Sequence, residues 1–213
     1  MSRYIQILIN QGEHQRLDFK YEISDARKIA RTLSAFSNTD GGKLLIGVKD
    51  NGNIVGIRSD EEYHMIEGAA QLYCKPEVFF AVKKWDIKNK SILEVDIPEI
   101  REKPVFALSE DNKWMAYIRR KDQNLLANKV MLNVWKHEKA QKGKYLKYNE
   151  EEKILLTYLQ QHSHITLSQF CRIAKISRNK AENILAILIA FQILDIEFTE
   201  KQTSFVLKKE ITL

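Results

Sequence analysis

Two residues of opposite charge lie two positions apart near the start of the chain, a spacing that permits chemistry on a phosphate. In an extended segment Asp18 and Lys20 project from one face while Phe19 points to the other. A carboxylate can bind a divalent cation and the ammonium can stabilise a phosphate in transit. Asp50 ends a predicted strand and can approach this pair, and Glu13 completes an acidic cluster. Glu13, Asp18, Lys20 and Asp50 are therefore candidate catalytic residues, and the three acids are candidate Mg²⁺ or Mn²⁺ ligands.

The same residue types also have structural interpretations. Asp18 and Lys20 can form a surface ion pair, and Asp50 opens the segment Asp-Asn-Gly, where Asp and Asn favour turns through local hydrogen bonds. The neighbouring Gly41 and Gly42 could present backbone N–H groups to a phosphate. They could equally end a helix and begin a strand, and we favour that second interpretation.

Two short basic segments are candidates for contact with nucleic acid. Residues 119–121 form the densest short basic run of the first predicted domain, although alternate residues of a strand face opposite sides. Residues 177–180 open a predicted helix with Ser177 as its N-cap, and their side chains are of the types that reach phosphates and base edges. The candidate contacts are Arg119, Arg120, Lys121, Ser177, Arg178, Asn179, Lys180 and Asn183.

The elements around these residues predict an α+β domain over residues 1–138, with a mixed sheet and flanking helices. Apolar residues at helical spacing predict helices over residues 25–37, with Ser24 as N-cap, and from the Ser59–Glu62 capping box to about residue 73. Asn51-Gly52 predicts a hairpin between strands at 43–50 and 54–57. Further strands are predicted at 78–85, 91–97, 105–108 and 114–120, and a helix over 124–139 ends the domain.

A basic linker over residues 139–149 precedes a second domain at 150–213. Helices are predicted over 150–161, 167–174 and 178–191, then strands at 194–198 and 204–207, which is the order of a winged helix-turn-helix. Residues 184–191 are apolar on two faces of their helix. This pattern predicts packing against a second subunit in a homodimer, or else burial in the core of the domain.

Composition and length agree with a folded protein of two domains, and the cysteines and apolar segments bear on its location. The 213 residues are 44% hydrophobic and 29% charged, with a net charge of +6 that favours a phosphate polymer or an anionic surface as partner. Cys74 and Cys171 lie far apart without nearby Cys or His, which argues against a disulfide framework or a zinc site. The most apolar run, residues 184–196, is too short to span a bilayer, and the N-terminus has no apolar signal segment. We therefore expect no membrane association and a cytoplasmic location.

Several of these motifs together resemble the Schlafen AlbA-type DNA-binding domain over roughly residues 10–130. They are residues 13–20, the Asn-Thr-Asp-Gly-Gly segment at 38–42, Gly-Val-x-Asp-Asn-Gly at 47–52, Val-Gly-Ile at 55–57, and Tyr-Ile-Arg-Arg at 117–120 with Asn124 and Ala127. In bacteria, similar domains are fused to C-terminal winged helices in transcriptional regulators. The resemblance therefore implies a DNA-binding transcriptional regulator, with DNA favoured over RNA as its partner.

The resemblance also implies an alternative, a metal-dependent endoribonuclease. Eukaryotic Schlafen relatives that cleave transfer RNA use three acidic residues, which match Glu13, Asp18 and Asp50 by motif position. The middle residue is usually Glu and is the shorter Asp here, which changes the geometry available for cleavage. Older descriptions of the family imply ATP binding, but Gly41-Gly42-Lys43-Leu44 lacks the spacing and the Ser or Thr of a G-x-x-x-x-G-K-S/T loop, so we expect no ATP.

Overall fold

A computed structural model describes residues 3–87, 89–140, 148–198 and 202–208. The chain divides into two compact units, Met1–Ala127 and Asn128–Leu213. The first unit is a mixed α+β fold with helices α1 (Arg3–Gln11), α2 (Ala26–Ser37) and α3 (Glu61–Leu72). Its strands are β1 (Leu17–Lys20), β2 (Gly42–Ile46), β3 (Cys74–Lys75), β4 (Ala81–Ile87), β5 (Lys90–Ile97), β6 (Phe106–Leu108), β7 (Trp114–Arg120) and β8 (Gln123–Leu126).

The strands of the first unit form two sheets on either side of α2. One sheet has the order β1-β2-β5-β4, in which β1 and β2 are parallel and the other pairs are antiparallel. The other has the antiparallel order β3-β6-β7-β8, and α2 packs against β6 and β7. Alternation along β2 places Leu44 in the core beneath α2 and Leu45 in a second core beneath α1, where it joins Ile5 and Phe19.

The first unit differs from the sequence expectation at several elements: strand β3 was not predicted, and α3 begins at Glu61 after Asp60, without the complete capping box predicted from Ser59. Helix α2 is capped by Asp25, whose side chain accepts a hydrogen bond from the Arg27 N–H, and not by Ser24. The strand predicted at 43–50 ends at Ile46, Gly47 follows it with a φ of 90°, and the predicted return strand at 54–57 is reduced to a bridge between Val48 and Ile54. The helix expected from residue 124 is replaced at its start by strand β8, and α1 has no counterpart among the predicted elements.

The second unit contains helices α4 (Lys129–Lys139), α5 (Glu150–Gln161), α6 (Leu167–Ala174) and α7 (Arg178–Ala190), followed by strands β9 (Leu194–Phe198) and β10 (Thr203–Leu207). From α5 onward, the bounds agree with those predicted to within one residue. Helix α6 ends at Lys175, which adopts the left-handed conformation and turns the chain into α7. Strands β9 and β10 pair as an antiparallel hairpin, and Ile165 adds a bridge to Phe205.

Helix α4 packs along α7 within the second unit, although it was expected to end the first domain. Its Val130 and Val134 are buried in the same core as Ile184 and Leu185 of α7. The second apolar face of α7 is therefore covered by a helix of the same chain. The homodimer was predicted because this face needed a cover, and that reason no longer applies. Residues 141–147 of the expected linker and 199–201 of the expected hairpin tip lie outside the described residues. Across the described ranges, no helix has both the length and the apolar character needed to cross a bilayer.

Candidate nucleic-acid interface

Glu13, Asp18 and Lys20 come together at β1, an edge strand of the first sheet. Asp18 is buried, and its Oδ2 lies 2.8 Å from Lys20 Nζ. Glu13 Oε1 accepts a hydrogen bond of 2.9 Å from the backbone N–H of Phe19. Burial raises the pKa of Glu13, and the nearby Asp18 raises it further, against the opposing effects of the Phe19 N–H and Lys20. This cluster therefore holds a carboxyl group that gives up its proton less readily than a free glutamate.

The other oxygen of Asp18 is paired with a buried arginine, Arg119. Nη2 of Arg119 donates to Asp18 Oδ1 at 3.1 Å and to the Leu17 carbonyl at 3.2 Å. Nη1 donates to Asn124 Oδ1 at 3.0 Å, and the guanidinium carbon lies 5.0 Å from the centroid of the Phe36 ring. Arg119 is only 2% exposed. This placement removes Arg119 from the candidate phosphate contacts, because a phosphate cannot reach its guanidinium without opening the core.

The two basic residues that follow Arg119 lie on the surface. Arg120 is the exposed last residue of β7, on the face opposite Arg119. Lys121 is also exposed and adopts a left-handed conformation with φ of 54°, and its N–H donates to Gln15 Oε1 at 2.8 Å. Arg120 and Lys121 therefore remain available as candidate phosphate contacts.

Asp50 is exposed in a turn that the Gly52 N–H closes by donating to the Lys49 carbonyl at 2.7 Å. In the part of the chain that the structure describes, no three His, Cys, Asp or Glu side chains are arranged to hold a metal ion. Both oxygens of Asp18 lie beside cations, which leaves it poorly disposed to bind another. The described donors at Glu13, Asp18 and Asp50 therefore do not fit a Mg²⁺ or Mn²⁺ ion.

The two adjacent glycines have a packing role. A Cβ on Gly41, whose φ is 65°, would lie 2.8 Å from the Ile97 carbonyl oxygen. A Cβ on Gly42 would lie 2.5 Å from a ring carbon of Phe36. The N–H of Gly41 already donates to the Phe36 carbonyl at 3.0 Å. These contacts support the structural interpretation of the glycines, since they account for the small side chain and occupy a donor that a phosphate would need.

A polar network on the first sheet was not predicted from the sequence. Glu94 is buried, and it accepts hydrogen bonds from Tyr4 Oη at 2.6 Å and Trp85 Nε1 at 2.8 Å. Lys43 Nζ lies 2.9 Å from Glu94 Oε1 and 2.7 Å from Asp96 Oδ2. Burial acts to raise the pKa of Glu94, but the hydrogen bonds from Tyr4, Lys43 and Trp85 outweigh it and lower the pKa. Through Tyr4, the network links α1 to the sheet. Glu94 and Asp96 share one face of β5, but it is the register of β2 against β5 that places Lys43 beside them.

The start of α7 presents the other predicted contacts on the surface. Ser177 caps the helix, its side chain accepting a hydrogen bond from the Lys180 N–H. The side chains of Arg178 and Lys180 are 73% and 53% exposed. Asn179 and Asn183 are also exposed, and they lie one and five residues after Arg178 on the same helix. The structure thus brings the predicted residues of the second unit together on one helix.

Each of these α7 side chains has a partner within the second unit. Arg178 Nε lies 3.0 Å from Glu182 Oε1 in the following turn, and Lys180 Nζ lies 2.6 Å from Glu151 Oε1 on α5. Two further partners come from α4, which the sequence assigned to the first domain. Lys129 Nζ donates to Asn179 Oδ1 at 2.6 Å, and His137 Nε2 lies 2.9 Å from Asn183 Oδ1.

Comparison with known proteins concerns mainly the first unit. No curated protein matches the chain. Among solved structures, the DIP2311 protein from Corynebacterium diphtheriae is 19% identical with a TM-score of 0.45, over 61% of this chain and 28% of that one. The N-terminal domain of a RecG-related protein from Nitrosomonas europaea is 22% identical with a TM-score of 0.40, over 55% of this chain and 87% of that one. The family model described as Schlafen, AlbA_2 matches residues 13–128, more than half of the 213 residues. The chain therefore belongs to the Schlafen AlbA_2 family.

Proposed function

We propose that the protein is a DNA-binding transcriptional regulator and that its second unit is a winged helix-turn-helix. One observation carries the proposal: helices α6 and α7 are joined by a tight turn at Lys175 and followed by the hairpin β9–β10. In winged helices the second helix of such a pair enters the major groove, with its N-terminal residues at the base edges. That part of α7 displays residues 177–180 on its surface.

The side chains at this position have the chemistry of a duplex reader. Arg178 can donate two hydrogen bonds to guanine, and Asn179 can pair with adenine through its amide. Lys180 suits a backbone phosphate, which positions the protein without reading sequence. DNA is favoured over double-stranded RNA because the major groove of B-DNA admits a helix, whereas that of A-form RNA is too narrow.

Features of the first unit agree with this function. Membership of the Schlafen AlbA_2 family is consistent with a nucleic-acid-related role. Arg120 and Lys121 are exposed and can contribute further phosphate contacts. The net charge of +6 assists approach to DNA, and a regulator of this kind would act in the cytoplasm.

The test is a salt titration of duplex binding by fluorescence anisotropy. Each cation that contacts a phosphate contributes about 0.9 to the slope of log affinity against log salt. Arg178→Ala should weaken binding and relax the preference for guanine, and Lys180→Ala should weaken binding to all sequences and reduce this slope by about 1. Lys153→Ala, which removes an exposed lysine from α5, is the matched control and should leave the slope nearly unchanged. If all three variants bind as the unaltered protein does, α7 is not the DNA contact.

The endoribonuclease hypothesis stays a prediction with its own assay. Glu13→Gln keeps the shape of the side chain, and Asp50→Asn alters an exposed turn, so neither should unfold the protein. Transfer RNA is incubated with the protein and Mg²⁺ or Mn²⁺, alongside both variants. Cleavage that Glu13→Gln abolishes would establish a nuclease, whereas RNA that stays intact under all metals would leave DNA binding as the function.

A further inference from the structure

The polar contacts of α4 fall on one face of α7. Asn179, Glu182 and Asn183 recur at the three- and four-residue spacing that places side chains on one side of a helix. Lys129 Nζ lies 2.6 Å from Asn179 Oδ1 and 3.0 Å from Glu182 Oε2. His137 Nε2 lies 2.9 Å from Asn183 Oδ1. Helix α4 therefore lies along the side of α7 from which a duplex would be read, and Asn179 and Asn183 keep exposed surface beside it.

The opposite side of α7 builds the core of the second unit. Ala181, Ile184, Leu185 and Leu188 are buried there, and at 100° per residue they lie roughly opposite Asn179 and Asn183. Ala186 lies on the outer side with Asn179 and Asn183, yet its exposure is 0%. An alanine on that side can be so deeply buried because α4 packs there.

The dimensions of DNA make this cover consequential. The major groove of B-DNA is about 12 Å wide, which is the diameter of one helix with its side chains. Two packed helices have axes about 8–10 Å apart, so a pair lying side by side is too wide for the groove. Helix α7 cannot enter the groove along this face while α4 remains on it.

We propose that α4 is an intramolecular occupant of the DNA-reading face of α7, and that DNA binding requires α4 to leave. This inference rests on the proposed function of the second unit. The polar contacts suit such an exchange, because the hydrogen bonds of Asn179 and Asn183 to Lys129 and His137 can be replaced by hydrogen bonds to base edges. Val130 and Val134 are the apolar anchor that keeps α4 in place in the absence of DNA.

Masking has a signature that a simple contact role does not have. If only a fraction of the molecules have α7 free, the apparent dissociation constant is raised by the inverse of that fraction. Weakening α4 increases the fraction and tightens binding. Lys129→Ala should therefore bind DNA more tightly although it removes a positive charge, whereas a lysine that merely contacts phosphate would bind more weakly when removed.

The experiment compares duplex binding by the full chain and four variants. Lys129→Ala, His137→Ala and Val134→Ala loosen α4, and Val134→Ala should lower the dissociation constant roughly tenfold. Leu159→Ala is the control, a truncation in the core of the second unit on α5. It should not tighten binding, because it leaves the α4 contacts of α7 intact. Circular dichroism establishes that each variant is folded.

A second measurement follows α4 directly. Trp135 lies on α4 and is 3% exposed, so a shift in its emission when DNA is added would report a change in the surroundings of this helix. The shift should be absent from Trp135→Phe, which leaves Trp85 and Trp114 in place.

The outcomes separate this inference from the proposed function. Binding that depends on Arg178 and Lys180, but is unchanged or weaker in the three α4 variants, overturns the masking and leaves the DNA-binding function. If neither the protein nor any folded variant binds DNA, the inference fails together with the function on which it rests.

Discussion

Removing Asp18 is expected to destabilise the first unit far more than removing its neighbour in the ion pair, Lys20. Asp18 and Arg119 are 3% and 2% exposed, whereas the side chain of Lys20 is 37% exposed. Breaking a buried pair costs about 3–5 kcal/mol, because the remaining charge is left uncompensated in the interior. Losing an exposed partner costs about 0–1 kcal/mol. We therefore expect Asp18→Ala to lower the free energy of unfolding by about 3–5 kcal/mol and Lys20→Ala by at most about 1 kcal/mol.

Urea unfolding followed by tryptophan fluorescence measures both effects. Trp85 and Trp114 lie in the first unit, so a Trp135→Phe background confines the signal to it. Comparable slopes of free energy against urea in all variants would show that the same cooperative transition is being compared.

A double-mutant cycle with Arg119 completes the test. Arg119→Met alone should be costly, because it leaves the Asp18 carboxylate buried beside the half-exposed Lys20 and without its buried partner. Adding Asp18→Ala to Arg119→Met removes both buried charges, so the double variant should lose less than the sum of the single losses. Equal losses for Asp18→Ala and Lys20→Ala, or strictly additive losses in the cycle, would refute the assignment of Asp18 and Arg119 as a buried pair.

Three further predictions concern the backbone and the network around Glu94. Gly41→Ala should cost about 1–3 kcal/mol of stability by overpacking. Gly12→Ala has a similar φ, 69° against 65°, but open space around the added Cβ, so it should cost less in the same urea measurement. Lys175→Gly should stabilise the second unit by up to about 1 kcal/mol, measured by thermal unfolding, because glycine relieves the left-handed strain. Because the pKa of Glu94 is lower in the folded protein than in the unfolded chain, its carboxylate stabilises the fold at pH values above the pKa that Glu94 has when unfolded. This stabilisation is lost as the pH falls through the pKa that Glu94 has in the folded protein. Glu94→Gln should therefore flatten the acid limb of a stability–pH profile, and an unchanged limb would contradict this role.

Helices α5, α6 and α7 could be predicted closely because their signals are local. Thr166 and Gln169 form a capping box at the start of α6, and Ser177 caps α7, as the residue types indicate. Such caps act within a single turn of helix, so the order of the residues contains the information. The same holds for α2, where only the capping residue moves, from Ser24 to Asp25.

The candidate site in the first unit depended on contacts that the order of residues does not contain. Alternation along β7 predicts that Arg119 and Arg120 face opposite sides of the sheet, but it does not indicate which side is the interior. The burial of Arg119 follows from its pairing with Asp18, about a hundred residues earlier in the chain. Likewise, Lys43 meets Glu94 only through the register of β2 against β5.

The predicted homodimer and the predicted end of the first domain share one physical cause. A helix that is apolar on two faces specifies that something covers the second face, but it does not identify the cover. Because the basic linker over residues 139–149 was taken as the domain boundary, α4 was assigned to the first domain. A second subunit was then a candidate for covering the second apolar face of α7. In the structure Val130 and Val134 of α4 provide the cover. Since the cover is a helix of the same chain that also contacts Asn179 and Asn183, the feature that predicted a dimer instead accounts for the masking of α7.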